Sequence, residues 1–210
     1  MKRFIYSILF LTFILVWAFP QQTRSSSDVS DSEFQSVLNA VSNEDWDSAV
    51  ALSSKFMKRM KSTDDRLPRL RYICLYSAAG KVSEGRMEFD EFHELAKEFI
   101  GKYFVLPYRP ITAECKGALN FICQSRGSNN RLMVGAANKS GTSIFAFEYV
   151  ELKDSFDFAS HENEQASIAG TVQAINPNPN KSRAIVMRLY ISDAVIRLKE
   201  SPQRSKVSAN

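Results

Sequence analysis

The hydrophobic period of this chain changes once, and the change falls on Val105-Leu106-Pro107-Tyr108-Arg109-Pro110. Upstream of it apolar residues recur every three or four positions; downstream they alternate. A pattern of helical period does not sit as a strand, nor the reverse, so helices must come first and strands second. Each proline removes an N–H donor and disfavours helix in the residue before it. The expected fold class is α+β: antiparallel helical hairpins at 32–104, a linker at 105–114, and a small antiparallel β barrel or sandwich at 115–200.

Four helices are expected in the first part. The first starts at Ser32, with Phe34, Val37, Leu38 and Val41 on one face. The second begins near Asp45 and carries Trp46, Ala49, Val50, Phe56, Met57 and Met60. Lys55, Lys58, Arg59 and Lys61 crowd its last turns, where positive charge complements the helix dipole. The third spans Leu67 to Ala79, with Asp65 as cap, Pro68 in the first turn, and Gly80 as the residue that stops it. Leu67, Leu70, Ile73, Cys74 and Ser77 form its face. In the fourth, Phe92, Leu95, Ala96, Phe99, Ile100 and Tyr103 share one side, with Glu91, Glu94, Lys97 and Glu98 between them. Helices this short are marginal alone, so these faces must be buried against one another.

Asn43-Glu44-Asp45-Trp46-Asp47-Ser48-Ala49 is similar to the turn and second-helix start of a tetratricopeptide-type repeat. Tyr76, Ala79-Gly80-Lys81, Gly85 and Phe89 resemble the same region of a following unit, although Gly85 stands where the family prefers alanine and no proline closes either unit. The resemblance covers about a third of the chain and implies a protein-interaction scaffold, because stacked hairpins present an open surface. It places the first helix of each hairpin on the concave side, which makes Gln35, Asn39, Arg71 and Ser77 the expected partner contacts.

Past Cys115, strands are expected at 119–123, 132–136, 143–152, 166–175 and 183–191, with a short last one at 194–198. Polar turns join them, among them Asn176-Pro177-Asn178-Pro179-Asn180. An OB-like barrel is one candidate. Phe145, Phe147 and Tyr149 lie on one face of the strand expected at 143–152, either as core or as a stacking platform for sugar or single-stranded nucleic acid.

At the N-terminus, Lys2 and Arg3 precede an apolar run from Phe4 to Phe19, with Val16 and Ala18 at the spacing a signal peptidase accepts. The expectation is a signal peptide at 1–18, a flexible spacer at 19–31, and export to a periplasmic or extracellular space. The alternative is an uncleaved segment that anchors the chain in a membrane. Residues 201–210 read as a mildly basic disordered tail. Removing Lys2 and Arg3 from the 27 basic residues leaves 25 against 23 acidic ones, so no global charge favours nucleic acid. In an exported chain Cys115 and Cys123 can close a small loop and leave Cys74 buried; the other reading is three unpaired thiols. Asn138-Lys139-Ser140 and Asn180-Lys181-Ser182 fit the N-glycosylation pattern.

Catalytic signatures are missing. There is no phosphate-binding loop, dinucleotide glycine pattern, nucleophile elbow or Cys-x-x-Cys. The two histidines, His93 and His161, match no metal-site spacing, so no catalytic residue, metal or cofactor is assigned. Three functions stay open: an exported non-catalytic scaffold that binds a protein partner, a β-domain that binds oligosaccharide or peptide, and a hydrolase with an unrecognised carboxylate site. An exposed apolar groove between Trp46 and Tyr76 favours the first. An exposed Phe145/Phe147/Tyr149 face favours the second, and a deep pocket with His161 or converging carboxylates the third.

Overall fold

Ser30 starts the helical part. Its side chain accepts from the Glu33 N–H at 3.2 Å, while the Glu33 carboxylate accepts from the Ser30 N–H at 3.0 Å. This reciprocal capping box opens α1, Asp31–Ser42, slightly ahead of the expected start. Asp45 caps α2, Trp46–Met57, by accepting from the Ser48 N–H. In the computed structural model the described residues are 29–115, 120–125, 127–139, 141 and 144–200. The leader expected at 1–18, the spacer up to residue 28 and the tail at 201–210 lie outside them. So do the side chains of Phe145 and Phe147.

Helix α3, Leu67–Ser83, is the longest, and two details of its expected ends are corrected. Asp64, not Asp65, accepts from the chain at its start, from the Arg66 N–H at 2.9 Å. Gly80 does not end it. Trp46 packs so closely there that a β-carbon on Gly80 would stand 2.7 Å from Cδ2 of the indole. The glycine therefore serves close approach of α2 to α3, not a left-handed turn. Both sides of α3 are buried, from Leu70 and Ile73 round to Leu75, Ala78 and Val82. One side joins Val37, Phe56 and Met60 in a cluster with α1 and α2, and the other joins the main core.

Helix α4, Phe89–Lys97, is shorter than its apolar pattern suggested. Phe92, Ala96 and Phe99 are buried, but Ile100 is 45% exposed. Gly101, at φ 79°, turns the chain into β1, Tyr103–Val105. Then follow β2, Arg109–Thr112; β3, Phe121–Gln124; β4, Arg131–Ala137; β5, Ile144–Leu152; β6, Gln165–Pro177; and β7, Met187–Leu198. The segment expected as a linker at 105–114 thus holds the end of β1 and all of β2.

These strands make a closed six-stranded barrel, one strand more than an OB-type barrel. β1 and β2 run along the same edge of β6, interrupted at Pro107-Tyr108, and count as one wall. Around the ring the order is β2, β3, β4, β5, β7, β6 and back to β2. The expected antiparallel sheet is corrected: β2–β3 and β5–β7 are parallel, the rest antiparallel. A disulfide between Cys115 and Cys123 (Cα–Cα 5.2 Å) ties the end of β2 to β3.

Helix α3 touches both β1 and β5. Those strands stand on opposite sides of the ring, so the helix must lie across one open end of the barrel. Side chains from both parts share one core, in which Trp46, Leu75, Phe92 and Phe104 meet Ile122, Val134, Ile168 and Leu189.

Candidate functional site

A groove of about 730 Å³ lies at the end of the barrel under α3. Spacing builds two of its walls. Phe34, Leu38 and Val41 line it from α1, four and three residues apart, and Arg69, Tyr72, Ile73 and Tyr76 line it from α3 at the same helical intervals. The third wall is the barrel mouth, formed by Val105–Pro110 with Asn120 and the turn at Ala137, Asn138 and Lys139. Glu44 and Trp46 also line the groove. Tyr108 stands on the rim, 46% exposed, with the Lys199 ammonium 5.9 Å from its ring centre.

Aromatic rings stiffen the floor. Trp46 meets Tyr76 edge-on at 5.8 Å, Tyr76 stacks on Tyr72 at 5.7 Å, and Tyr72 meets Phe104 edge-on at 6.4 Å. The Tyr76 hydroxyl donates to the Ala137 carbonyl at 2.7 Å, and burial raises its pKa.

Tyr72 is also the middle of a buried polar relay. The Arg109 guanidinium donates to the Tyr72 hydroxyl at 2.6 Å, and that hydroxyl donates to Glu148 Oε1 at 3.3 Å. The three come from β2, α3 and β5, so the tyrosine bridges opposite walls of the ring. Arg109 is 5% exposed and Glu148 fully buried. Burial pushes the Glu148 carboxyl up to about 7, although the Arg109 charge and the Tyr72 hydrogen bond pull the other way. Burial also lifts the Tyr72 hydroxyl well above its ordinary value. Among the described residues Arg109 Nη1 and Glu148 Oε2 have no hydrogen-bond partner.

The residues expected as partner contacts fall beside this groove. Gln35 and Asn39 are exposed on α1 and bond to each other at 3.0 Å, one position along from the lining residues Phe34 and Leu38. Arg71 is turned toward the barrel, where it donates to the Tyr103 carbonyl at 3.1 Å. Ser77 is completely buried. Helix α3 lines the groove through Arg69, Tyr72, Ile73 and Tyr76, not through Arg71 or Ser77.

Other candidates are placed elsewhere. Tyr149 lies on the outer barrel face with Arg188 over its ring at 5.8 Å, next to Tyr190 and Glu151. His161 stacks on Phe156 at 5.0 Å with a Glu164 oxygen 3.4 Å from Nδ1, and it does not line the groove. Among the described residues no group of three His, Cys, Asp or Glu side chains converges to hold a metal. Cys74 is a buried free thiol whose pKa is raised by that burial.

Sequence reasoning missed the relay. Glu148 did carry a sign: it occupies the same face of β5 as Ala146 and Val150, an apolar row broken by one carboxylate. Arg109, between Tyr108 and Pro110, carried none. No family model matches this chain, and neither does any curated protein or solved structure.

Proposed function

We propose that the protein is an exported, non-catalytic binding module that holds a protein partner in the groove between α1, α3 and the barrel mouth. The observation that carries this reading is the groove itself. It is large enough for several side chains, lined mainly by apolar and aromatic groups, and floored by an aromatic row with few ways to move. It runs past Trp46 and Tyr76, the pair at which the scaffold reading looks for an open surface. The tetratricopeptide-like pattern at 32–104 supports the same reading. Export is supported by the basic, apolar, small-residue order at 2–18 and by the Cys115–Cys123 disulfide, which persists in oxidising compartments.

The test is site-specific photo-cross-linking in cells that make the full chain. A benzophenone amino acid at Ile73 or Tyr108 should trap a defined partner, and one at Tyr190 on the outer barrel face should not. Cross-links from Tyr190 alone would move the binding surface to the barrel wall and favour the oligosaccharide or peptide reading of the β-domain. Charge reversal at Arg71 should disturb the seating of β1 and leave groove cross-links intact.

A further inference from the structure

The charges around the groove are unbalanced, and the imbalance indicates what kind of segment it takes. Glu44, Arg69, Arg109 and Lys139 are its charged lining residues. The one anion is already engaged, because the Glu44 carboxylate accepts from the Lys139 N–H. Arg69, on α3, and Lys139, in the turn after β4, are both exposed. Arg109, also a lining residue, is more than nine-tenths buried, and its Nη1 has no acceptor among the described residues. A carboxylate is the acceptor that pairs best with a buried guanidinium N–H, through a charge-assisted hydrogen bond.

We propose that the groove is built for an acidic, apolar peptide segment of the partner, in which Asp or Glu side chains alternate with large apolar ones. This rests on the docking role argued above. The apolar side chains fill the space against Phe34, Ile73 and Tyr108, and the carboxylates face Arg69 and Lys139, with one directed to Arg109. The chain's own tail is a poor occupant on charge. It leaves β7 close to Tyr108, but its side-chain charges at Arg204 and Lys206 are both positive.

The experiment is fluorescence anisotropy with the mature full-length protein and three labelled probes: an octapeptide alternating Leu or Phe with Asp or Glu, the same peptide with Lys for each acid, and the sequence of residues 201–210. The acidic peptide should bind at least tenfold more tightly than either other probe and weaken several-fold between low and high salt. R69E/K139E, a pair of exposed substitutions, should weaken it at least tenfold with an unchanged circular dichroism spectrum. Equal binding of the Lys peptide overturns the proposal, as does preference for the 201–210 probe, which would assign the groove to the tail. A dimer in sedimentation velocity that R69E/K139E dissociates would assign it to a second copy and also overturn it. If groove cross-links form but the acidic peptide does not compete with them, the docking role stands and this inference falls. If no cross-links form from the groove, both fall.

Discussion

The indole of Trp46 rests against Gly80: a β-carbon on that glycine would meet Cδ2 at 2.7 Å and Cε2 at 2.8 Å. The indole N–H donates to Glu84 at 2.7 Å, the residue that follows the end of α3. The ring is held by a hydrogen bond against a bare stretch of backbone, so α2 and α3 approach as closely as the missing side chain permits.

Gly80→Ala tests that arrangement because two effects oppose. Alanine inside a helix gains about 1 kcal/mol over glycine. Overpacking against a rigid ring costs about 1–3 kcal/mol. The overlap is with ring atoms that cannot bend aside, so the second effect should win. Urea unfolding should show a net loss of roughly 1–2 kcal/mol. A stabilised variant would mean that the indole slides freely. Trp46→Ala should cost about 3–5 kcal/mol.

Tyr72→Phe removes one oxygen and disconnects two buried charged groups. Arg109 Nη2 loses its acceptor and Glu148 Oε1 its donor. The expected loss is about 2–4 kcal/mol, against well under 1 kcal/mol for the same change at exposed Tyr103. Chemical denaturation of the two variants side by side makes the comparison.

Glu148 should give stability an unusual pH dependence. Its ordinary value is 4.5 and in the fold it lies at about 7. Between those values the folded chain keeps a proton that the unfolded chain has released. Stability therefore falls as pH rises through this window and levels off above about 7. The full effect is about 3 kcal/mol. Other carboxylates titrate at the lower end, so the measurement is the difference between wild type and Glu148→Gln from pH 4.5 to 8. The wild type should lose stability relative to the variant as pH rises. Parallel profiles would show that Glu148 is ionised throughout.

Reduction of Cys115–Cys123 should cost about 2.5 kcal/mol, the entropy regained by a loop whose ends are eight residues apart. Cys74 should resist a thiol reagent in the native, oxidised protein and react only on unfolding, since it is buried and its pKa is raised. Fast labelling at Cys74 would place it on a segment that opens readily.

Local chemistry was legible and distant pairing was not. Asp45 with the Trp46 face announced α2, and the turn residues after Ile175 announced the β6–β7 turn. Tyr103 and Phe104, by contrast, continue the helical spacing of α4, and only Thr171 and Gly170, far along the chain, pull them into a strand. Pro110 looked like a breaker, yet it sits in β2 opposite Gln165. Gly80 was misjudged for a related reason: a glycine that admits a ring from another helix looks the same in sequence as one that ends its own. The groove was half legible. Trp46 and Tyr76 marked its position, but α3 is apolar nearly all round, so its pattern does not say whether the Arg69 side or the Arg71 side stays open.

Strand β7 is hydrogen-bonded to both β5 and β6, and no other described pairing joins those two walls. The strand that closes the ring is thus the last to be synthesised. Until residues 187–198 are available, β5 and β6 each keep a bare edge of unpaired N–H and C=O groups. The helices can begin to collapse on one another early, but α3 has no finished barrel end to cover and Glu148 no Leu189 strand beside it. Maturation of this chain is therefore governed from its C-terminus: a nascent or clipped chain that stops short of Met187 is an open sheet prone to pair with its neighbours.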